Sequence, residues 1–192
     1  MKRLNLGIIA VIALAVIAYL WVGQNENIEE MTMADGGDGD TLILALSTGG
    51  TVKIMTFPGK APNHVARIKE LANSGFYDGV VFHRVIEGFM AQTGDPTGTG
   101  SGGSGQNIKA EFNDVAHVRG ILSMARSQNP DSADSQFFIM LADAPHLDGQ
   151  YTAWGEVIEG MEFVDSIPKG PSNGIVPEEE RGAIVSMRVS ED

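Results

Sequence analysis

A glycine-rich segment has a spacing that is typical of nucleotide phosphate binding. Gly98, Gly100 and Gly103 formally match the dinucleotide-binding fingerprint. That fingerprint requires a following helix whose N-terminus binds the pyrophosphate, and no helical pattern follows these glycines. No Lys-Ser/Thr pair makes the segment a phosphate loop either. We therefore interpret residues 98–105 as a flexible surface loop.

The other reactive side chains form no pattern for metal or covalent chemistry. The chain has no Cys, so thiol nucleophiles, iron–sulfur clusters and Cys-ligated zinc are excluded. Its four His residues show no His-Glu-x-x-His spacing, and no nucleophile elbow occurs. The acidic residues between 35 and 40 lack the alternating spacing and distal Glu of a calcium loop. No metal and no organic cofactor is predicted.

Length and charge limit the class of protein and its partners. A chain of 192 residues is long enough for one ordinary domain plus extra segments. Its 13 basic and 25 acidic side chains give a formal charge of −12, and its basic residues are scattered. Such a surface repels phosphates, so nucleic acid is not predicted as a partner. We predict a monomer.

The N-terminal segment has the pattern of a membrane anchor. Two basic residues precede an apolar run from Leu4 to Val22, which as a helix would span about 28 Å. No small-residue cleavage pattern ends the run, and the flanking charges place the following domain outside the cytoplasm. We predict a single-pass signal anchor in the inner membrane over residues 1–23 and an acidic, Gly-rich linker over 24–40. Secretion after signal cleavage is the alternative.

From residue 41 onward the pattern is that of a mainly β domain. Residues 41–47 and 51–57 predict a hairpin joined by a Gly turn. A proline and apolar residues at helical spacing predict a helix over about 62–73, and 160–167 predicts a second, shorter one. Many short strands with few helices indicate a closed barrel or a sandwich. Further strands are predicted at 80–85, 89–92, 120–125, 136–141, 152–157 and 183–189.

Four sequence blocks in this domain occur in a recognisable order. They are FHRVIEGFMAQTGD from Phe82, GILSMA from Gly120, SQFFI from Ser135 and LDG from Leu147. In order and spacing they resemble the cyclophilin family of peptidyl-prolyl cis-trans isomerases. The resemblance implies a closed eight-stranded antiparallel β-barrel capped by two α-helices over residues 41–192. It also implies isomerisation of Xaa-Pro bonds in proline-containing polypeptides, without a cofactor.

The resemblance assigns roles to residues that match the family's motifs. It implies that Arg84 is the catalytic donor; a plain surface charge is the alternative, which the flanking Phe82 and Ile86 disfavour. Gln92 would hold the substrate backbone. The proline pocket would be lined by Phe89, Met90 and Phe138 with Leu147 as further apolar wall, and the groove for the residue before proline would be bordered by Ala125, Arg126 and Gln136.

Three groove positions depart from the best-known eukaryotic cyclophilins. Arg126 stands where they carry Asn, His146 where they carry Trp, and Tyr151 where they carry His. His146 and Tyr151 are still expected to contact substrate, as in a bacterial-like member of the family. Because cyclosporin binding in the family depends on the Trp, we expect weak drug binding here.

Two further functions are compatible with parts of the pattern. A module of the same fold could hold proline segments as a chaperone or assembly partner, with catalysis incidental. An unrelated ligand-binding barrel would require all four blocks to be coincidence. Binding alone needs no donor at the prolyl amide, so Arg84 favours the enzyme.

Overall fold

The computed structural model describes residues 39–190. The predicted anchor over residues 1–23 and most of the predicted linker lie outside this range, and both stay predictions. Between residues 39 and 190, every helix is too short or too polar to cross a membrane.

An eight-stranded antiparallel sheet dominates the described part of the chain. Its strands lie in the order β3-β4-β6-β5-β7-β2-β1-β8, so the opening β1–β2 hairpin is confirmed and packs between β7 and β8. The strands are short and separated by Gly and Pro turns, as the sequence predicted. They are β1 Thr41–Leu46, β2 Thr51–Thr56, β3 Arg84–Ile86, β4 Met90–Thr93, β5 Ile121–Met124, β6 Phe137–Met140, β7 Ala153–Glu159 and β8 Ile184–Val189.

The sheet curls so that its two edges approach each other. They meet in an isolated bridge between Val81 and Ala183, next to a 2.8 Å hydrogen bond from the Phe82 N–H to the Gly182 carbonyl. The prediction of a fully closed barrel is therefore corrected to a curled half-barrel, since one bridge replaces a continuous ladder. For the same reason the strand predicted from residue 80 begins only at Arg84.

Two α-helices occur between residues 39 and 190, close to the predicted positions. They are α1, Pro62–Asn73, and α2, Met161–Asp165. The residue before α1, Ala61, provides no side-chain cap. Instead the Glu111 carboxylate accepts the N–H groups of Asn63 and His64 at 3.1 and 3.0 Å. A distant segment thereby satisfies the free donors of the first helical turn.

The main apolar core fills the inside of the curled sheet. It contains the buried face of α1, with Val65 and Ile68, and inward residues of every strand from β1 to β8. Trp154 on β7 is fully buried in it and meets Phe137 edge to face, with ring centroids 5.5 Å apart. Such edge-to-face aromatic contacts add to the stabilisation that burial provides.

A second, smaller apolar cluster lies on the outer face of the same strands. Consecutive strand residues point to opposite faces, and strand β6 is buried on both. Phe137 and Ile139 belong to the inner core, whereas Phe138 and Met140 belong to the outer cluster. The sheet therefore supports two separate packing surfaces.

Candidate active site

Strand register places a cation, an amide and an aromatic ring side by side on the outer face. Arg84 on β3 pairs with Gln92 on β4, and Gln92 pairs with Phe138 on β6. Paired residues of neighbouring strands share one face of the sheet. Ile86, two residues further along β3, packs against the outer apolar cluster, so Arg84 lies on the same face beside that cluster.

Three polar side chains are joined at the edge of this cluster. An Arg84 guanidinium N–H points to the side-chain oxygen of Gln92 at 3.5 Å. The side-chain NH₂ of Gln92 donates to the side-chain oxygen of Gln136 at 2.9 Å. The Gln136 amide in turn donates to the backbone carbonyls of Gly100 and Gly102, at 3.1 and 2.8 Å. Arg84 is half-buried and can present further N–H groups to a bound peptide.

A cluster of apolar side chains lies beside these polar groups. Met90, Phe138 and Leu147 are buried members of the outer cluster, and Phe89 is a half-buried residue packed against it. The ring of His146 stacks on Phe89 with the centroids 5.8 Å apart. The cluster therefore offers an apolar surface for a compact ring, with the polar groups at its edge.

A cleft of about 560 Å³ extends from Gln92 along the glycine-rich loop. Ala125, Arg126 and Gln136 line it, together with loop residues from Gly100 to Gly105. The backbone N–H of Ala125 donates to the backbone carbonyl of Gln136 at 2.9 Å, which connects the two walls of the cleft.

Arg126 is held at the rim by neutral groups. Its guanidinium donates to the Gln150 carbonyl at 2.9 Å and the Ser127 carbonyl at 2.9 Å. The guanidinium carbon lies 4.6 Å from the Tyr151 ring centroid and 5.5 Å from that of Phe112, within the range of a cation–π contact. The charge is thus fixed next to the cleft.

The structure adds His117, which the sequence analysis did not place at the site. Its ring stacks on Phe138 with centroids 6.5 Å apart. Its ring nitrogens contact an Asp148 carboxylate oxygen at 3.0 Å and the Ser123 hydroxyl at 3.1 Å. The backbone N–H and ring of His117 hold the pKa of Asp148 below its usual range. These partners fix the ring beneath Phe138. Because they lie up to 31 positions from His117 in the sequence, no local sequence pattern indicates the role of His117.

Phe112 is a second addition at the rim. It is an exposed aromatic residue that contacts Arg126, in a segment that carries no predicted element. His83, next to Arg84 in the chain, is buried, and burial lowers its pKa.

All residues predicted for the site come together. Arg84, Gln92 and Gln136 are connected by hydrogen bonds, and the rest lie in the outer cluster, stack on it or line the cleft. Residues 98–105, however, are fastened by several hydrogen bonds where a flexible loop was expected. Between these glycines and β5 the chain forms no helix.

The sequence and the fold are similar to those of known isomerases. Residues 42–189 match the Cyclophilin type peptidyl-prolyl cis-trans isomerase/CLD family. A probable peptidyl-prolyl cis-trans isomerase of Brucella abortus (strain 2308) is 46% identical over 163 residues, covering 79% of this chain and 80% of the relative. Peptidyl-prolyl cis-trans isomerase B of Bacillus subtilis (strain 168) is 46% identical over 138 residues, covering 71% and 93%.

A solved structure gives the same result. The crystal structure of a Cryptosporidium parvum cyclophilin type peptidyl-prolyl cis-trans isomerase, in the presence of the dipeptide Ala-Pro, has a TM-score of 0.71 and 31% sequence identity, and the match covers 79% of this chain and 99% of that one. Together with the site geometry, these similarities show that the chain belongs to the cyclophilin family and is a peptidyl-prolyl cis-trans isomerase.

Proposed function

We propose that Arg84 is the catalytic donor and that the outer apolar cluster binds the proline ring. The observation that carries this proposal is the cross-strand series of Arg84, Gln92 and Phe138. It sets a guanidinium and an amide next to a buried aromatic surface. An Xaa-Pro substrate presents a peptide group, which these polar groups can bind, and a pyrrolidine ring, which the aromatic surface can bind.

The reaction breaks no covalent bond. The barrier of about 18–20 kcal/mol comes from the partial double-bond character of the C–N bond. As the bond twists, the lone pair localises on the prolyl nitrogen. A guanidinium N–H aimed at that nitrogen stabilises the twisted amide more than the planar one, which lowers the barrier.

The neighbouring residues fix the substrate around this donor. Phe89, Met90, Phe138 and Leu147 hold the proline ring, while Gln92 binds the flanking backbone. Ala125, Arg126, Gln136, His146 and Tyr151 border the segment on either side. The Cryptosporidium parvum relative crystallised in the presence of Ala-Pro supports a site for that dipeptide unit.

Isomerisation of an Ala-Pro peptide by the full chain tests these roles. We expect turnover with the natural chain and a large loss in Arg84→Ala. Arg84→Lys is the matched control: it keeps the charge but loses the planar fork of donors, so its turnover should also be low. Both variants should still bind the peptide, which would show that Arg84 acts in catalysis and not only in substrate binding. Full turnover in Arg84→Lys would reduce the role of Arg84 to its charge.

We further propose that the enzyme is tethered to the inner membrane of a bacterium by residues 1–23, with its catalytic domain on the extracytoplasmic side. The support is the apolar run from Leu4 to Val22, preceded by basic residues. The family match begins only at residue 42, which leaves the proposed anchor and linker outside the isomerase domain. Unfolded or newly exported polypeptides with Xaa-Pro bonds are the proposed clients.

Membrane fractionation and mass spectrometry of the native protein test the anchor. We expect the protein in the membrane fraction with residues 1–23 retained. A new N-terminus between residues 19 and 40 would replace the anchor with a secreted enzyme. Sedimentation of the detergent-solubilised chain tests the proposed monomer.

A further inference from the structure

A buried carboxylate organises the glycine-rich loop from below. Asp95 is fully buried, and one of its oxygens accepts the N–H and the hydroxyl of Thr97 at 2.7 and 2.8 Å. Its other oxygen accepts the N–H groups of Gly100 and Gly102 at 2.7 and 3.0 Å. Burial raises the pKa of the Asp95 carboxyl, but the hydrogen bonds from Gly102, Thr97 and Gly100 outweigh it and lower the pKa to about 2. The loop is therefore built around a fixed negative charge.

The carbonyl groups of the same two glycines point towards the proposed active site. Gly100 and Gly102 donate their N–H groups to Asp95, and their carbonyl oxygens accept the amide of Gln136. A continuous series of hydrogen bonds thus runs from the buried carboxylate through Gln136 and Gln92 to Arg84.

This series fixes which way each side-chain amide points. An amide has one accepting oxygen and one donating NH₂ group. Because the Gln136 NH₂ meets two loop carbonyls, its oxygen must face Gln92. The Gln92 NH₂ then faces Gln136, which leaves the Gln92 oxygen towards Arg84. With Gln92 reversed, its NH₂ group would face the guanidinium, and with Gln136 reversed, the two NH₂ groups would face each other; in either case two donors repel each other.

We propose that Asp95 is a positioning residue for catalysis: by holding the loop carbonyls it sets the orientation of Gln136 and Gln92 and thereby the position of the Arg84 guanidinium. The inference rests on the proposed role of Arg84 as donor. Asp95 itself lies beneath the loop and acts through the intervening amides.

Asp95→Asn tests the inference with almost no change of shape. The asparagine keeps one oxygen for Thr97 and places an NH₂ group against the N–H groups of Gly100 and Gly102. We expect kcat/KM for an Ala-Pro peptide to fall by about tenfold to a hundredfold, mostly in kcat, as displaced catalytic groups cause losses of that order. Wild-type kcat/KM in a folded Asp95→Asn enzyme would overturn the proposal.

Glu111→Gln is the matched control for stability. Glu111 is another carboxylate that gathers backbone N–H groups, but at the start of α1, without a connection to Gln136. Both variants should lower Tm. Only Asp95→Asn should lower kcat/KM at a temperature where both enzymes are folded. An equal loss in Glu111→Gln would mean that Asp95 supports only the fold.

A double-mutant cycle separates a relay from independent damage. Gln136→Ala cuts the series of hydrogen bonds, so adding Asp95→Asn to it should cause little further loss in kcat/KM. Losses that multiply would overturn the proposal. NMR provides a direct readout: the side-chain amide signals of Gln92 and Gln136 should shift in Asp95→Asn, and unchanged signals contradict the inference.

Gly102→Ala keeps the test valid should Asp95→Asn fail to fold. A methyl group at Gly102 collides with the Asp95 carboxylate and with Thr97, so it separates loop from carboxylate without removing the charge. We expect the same fall in kcat/KM, and wild-type turnover would overturn the proposal. An active Arg84→Ala enzyme would instead remove the proposed catalytic donor, so the two failures are distinguishable.

Discussion

The two faces of strand β6 differ in what covers them. The inner face presents Phe137 and Ile139 to a large core that α1 and the curled sheet close from all sides. The outer face presents Phe138 and Met140 to a smaller cluster, covered by loop residues such as Leu147. Both faces are buried and apolar. The difference is that a guanidinium and side-chain amides lie beside the outer one.

With the proposed active site, that difference assigns stability and catalysis to opposite faces of one strand. On the inner face, Ala91 lies opposite Ile139, and Thr93 lies opposite Phe137 with its hydroxyl donated to the Val81 carbonyl. On the outer face, Gln92 lies opposite Phe138, and Arg84 opposite Gln92. The proposed active-site surface thus lies on the back of a core strand, whose other side packs into the main core.

The largest effect is expected from Phe137→Ala compared with Phe138→Ala. Phe137 makes edge-to-face contacts with both Tyr77 and Trp154, so its truncation should lower the free energy of unfolding by about 3–5 kcal/mol. Phe138→Ala should lower stability less and remove most of kcat/KM. Urea unfolding and peptide turnover of both variants measure this; the comparison between the faces breaks down when the two variants behave alike.

Arg84→Ala should show the converse behaviour. Loss of a preorganised donor typically lowers a rate by about 10²–10³, or about 2.7–4 kcal/mol. Because Arg84 is half-buried at the rim, the free energy of unfolding should hardly change. Turnover and Tm are measured on the same preparation. A variant that unfolds readily would place Arg84 among the residues that hold the sheet together.

His146→Trp tests the rim of the outer face. An indole has more apolar area than an imidazole and carries an N–H that the resemblance links to cyclosporin binding. We expect peptide turnover to persist and drug binding to tighten by about 1–3 kcal/mol. Inhibition curves of the natural enzyme and the variant on one peptide decide this, and superimposable curves would remove position 146 from the drug site.

Acid should lower the stability of the protein through protonation of Asp95, which holds the glycine-rich loop beside the outer face. The folded-state pKa of about 2 lies below the ordinary 3.8, so the ionised carboxylate contributes stability above pH 4 that is lost as the pH falls towards 2, by up to about 1.4 kcal/mol per pH unit. Asp95→Asn lacks this contribution. Urea unfolding at pH 4 and pH 2 should therefore show a smaller acid effect in the variant, and parallel curves would contradict the assignment.

Much of this architecture was predictable from the sequence, and its limits have physical causes. The run Phe137 to Met140 predicted a strand, but a continuous apolar run does not reveal which face is the core. The outer cover comes from distant segments such as those around His117 and Leu147, whose positions depend on tertiary packing. The site residues were found because four blocks match a family in register.

The Asp95 series was not predictable in the same way. Its geometry depends on where the carbonyls of Gly100 and Gly102 lie, and composition carries no information about that. The prediction of a closed barrel was wrong for a related reason. Sequence patterns indicate how many strands there are, but the contact between the sheet edges, here the Val81–Ala183 bridge, depends on how far the sheet curls.

The position of Trp154 has a spectroscopic consequence. The chain contains two tryptophans, and in a Trp21→Phe chain the emission would come from Trp154 alone, within the inner core. Its fluorescence should shift to the red when denaturant opens the sheet and stay constant when a proline peptide is titrated. His146→Trp would add a second indole beside Phe89, in reach of the ligand, so one chain could then report unfolding and binding as two separate optical signals.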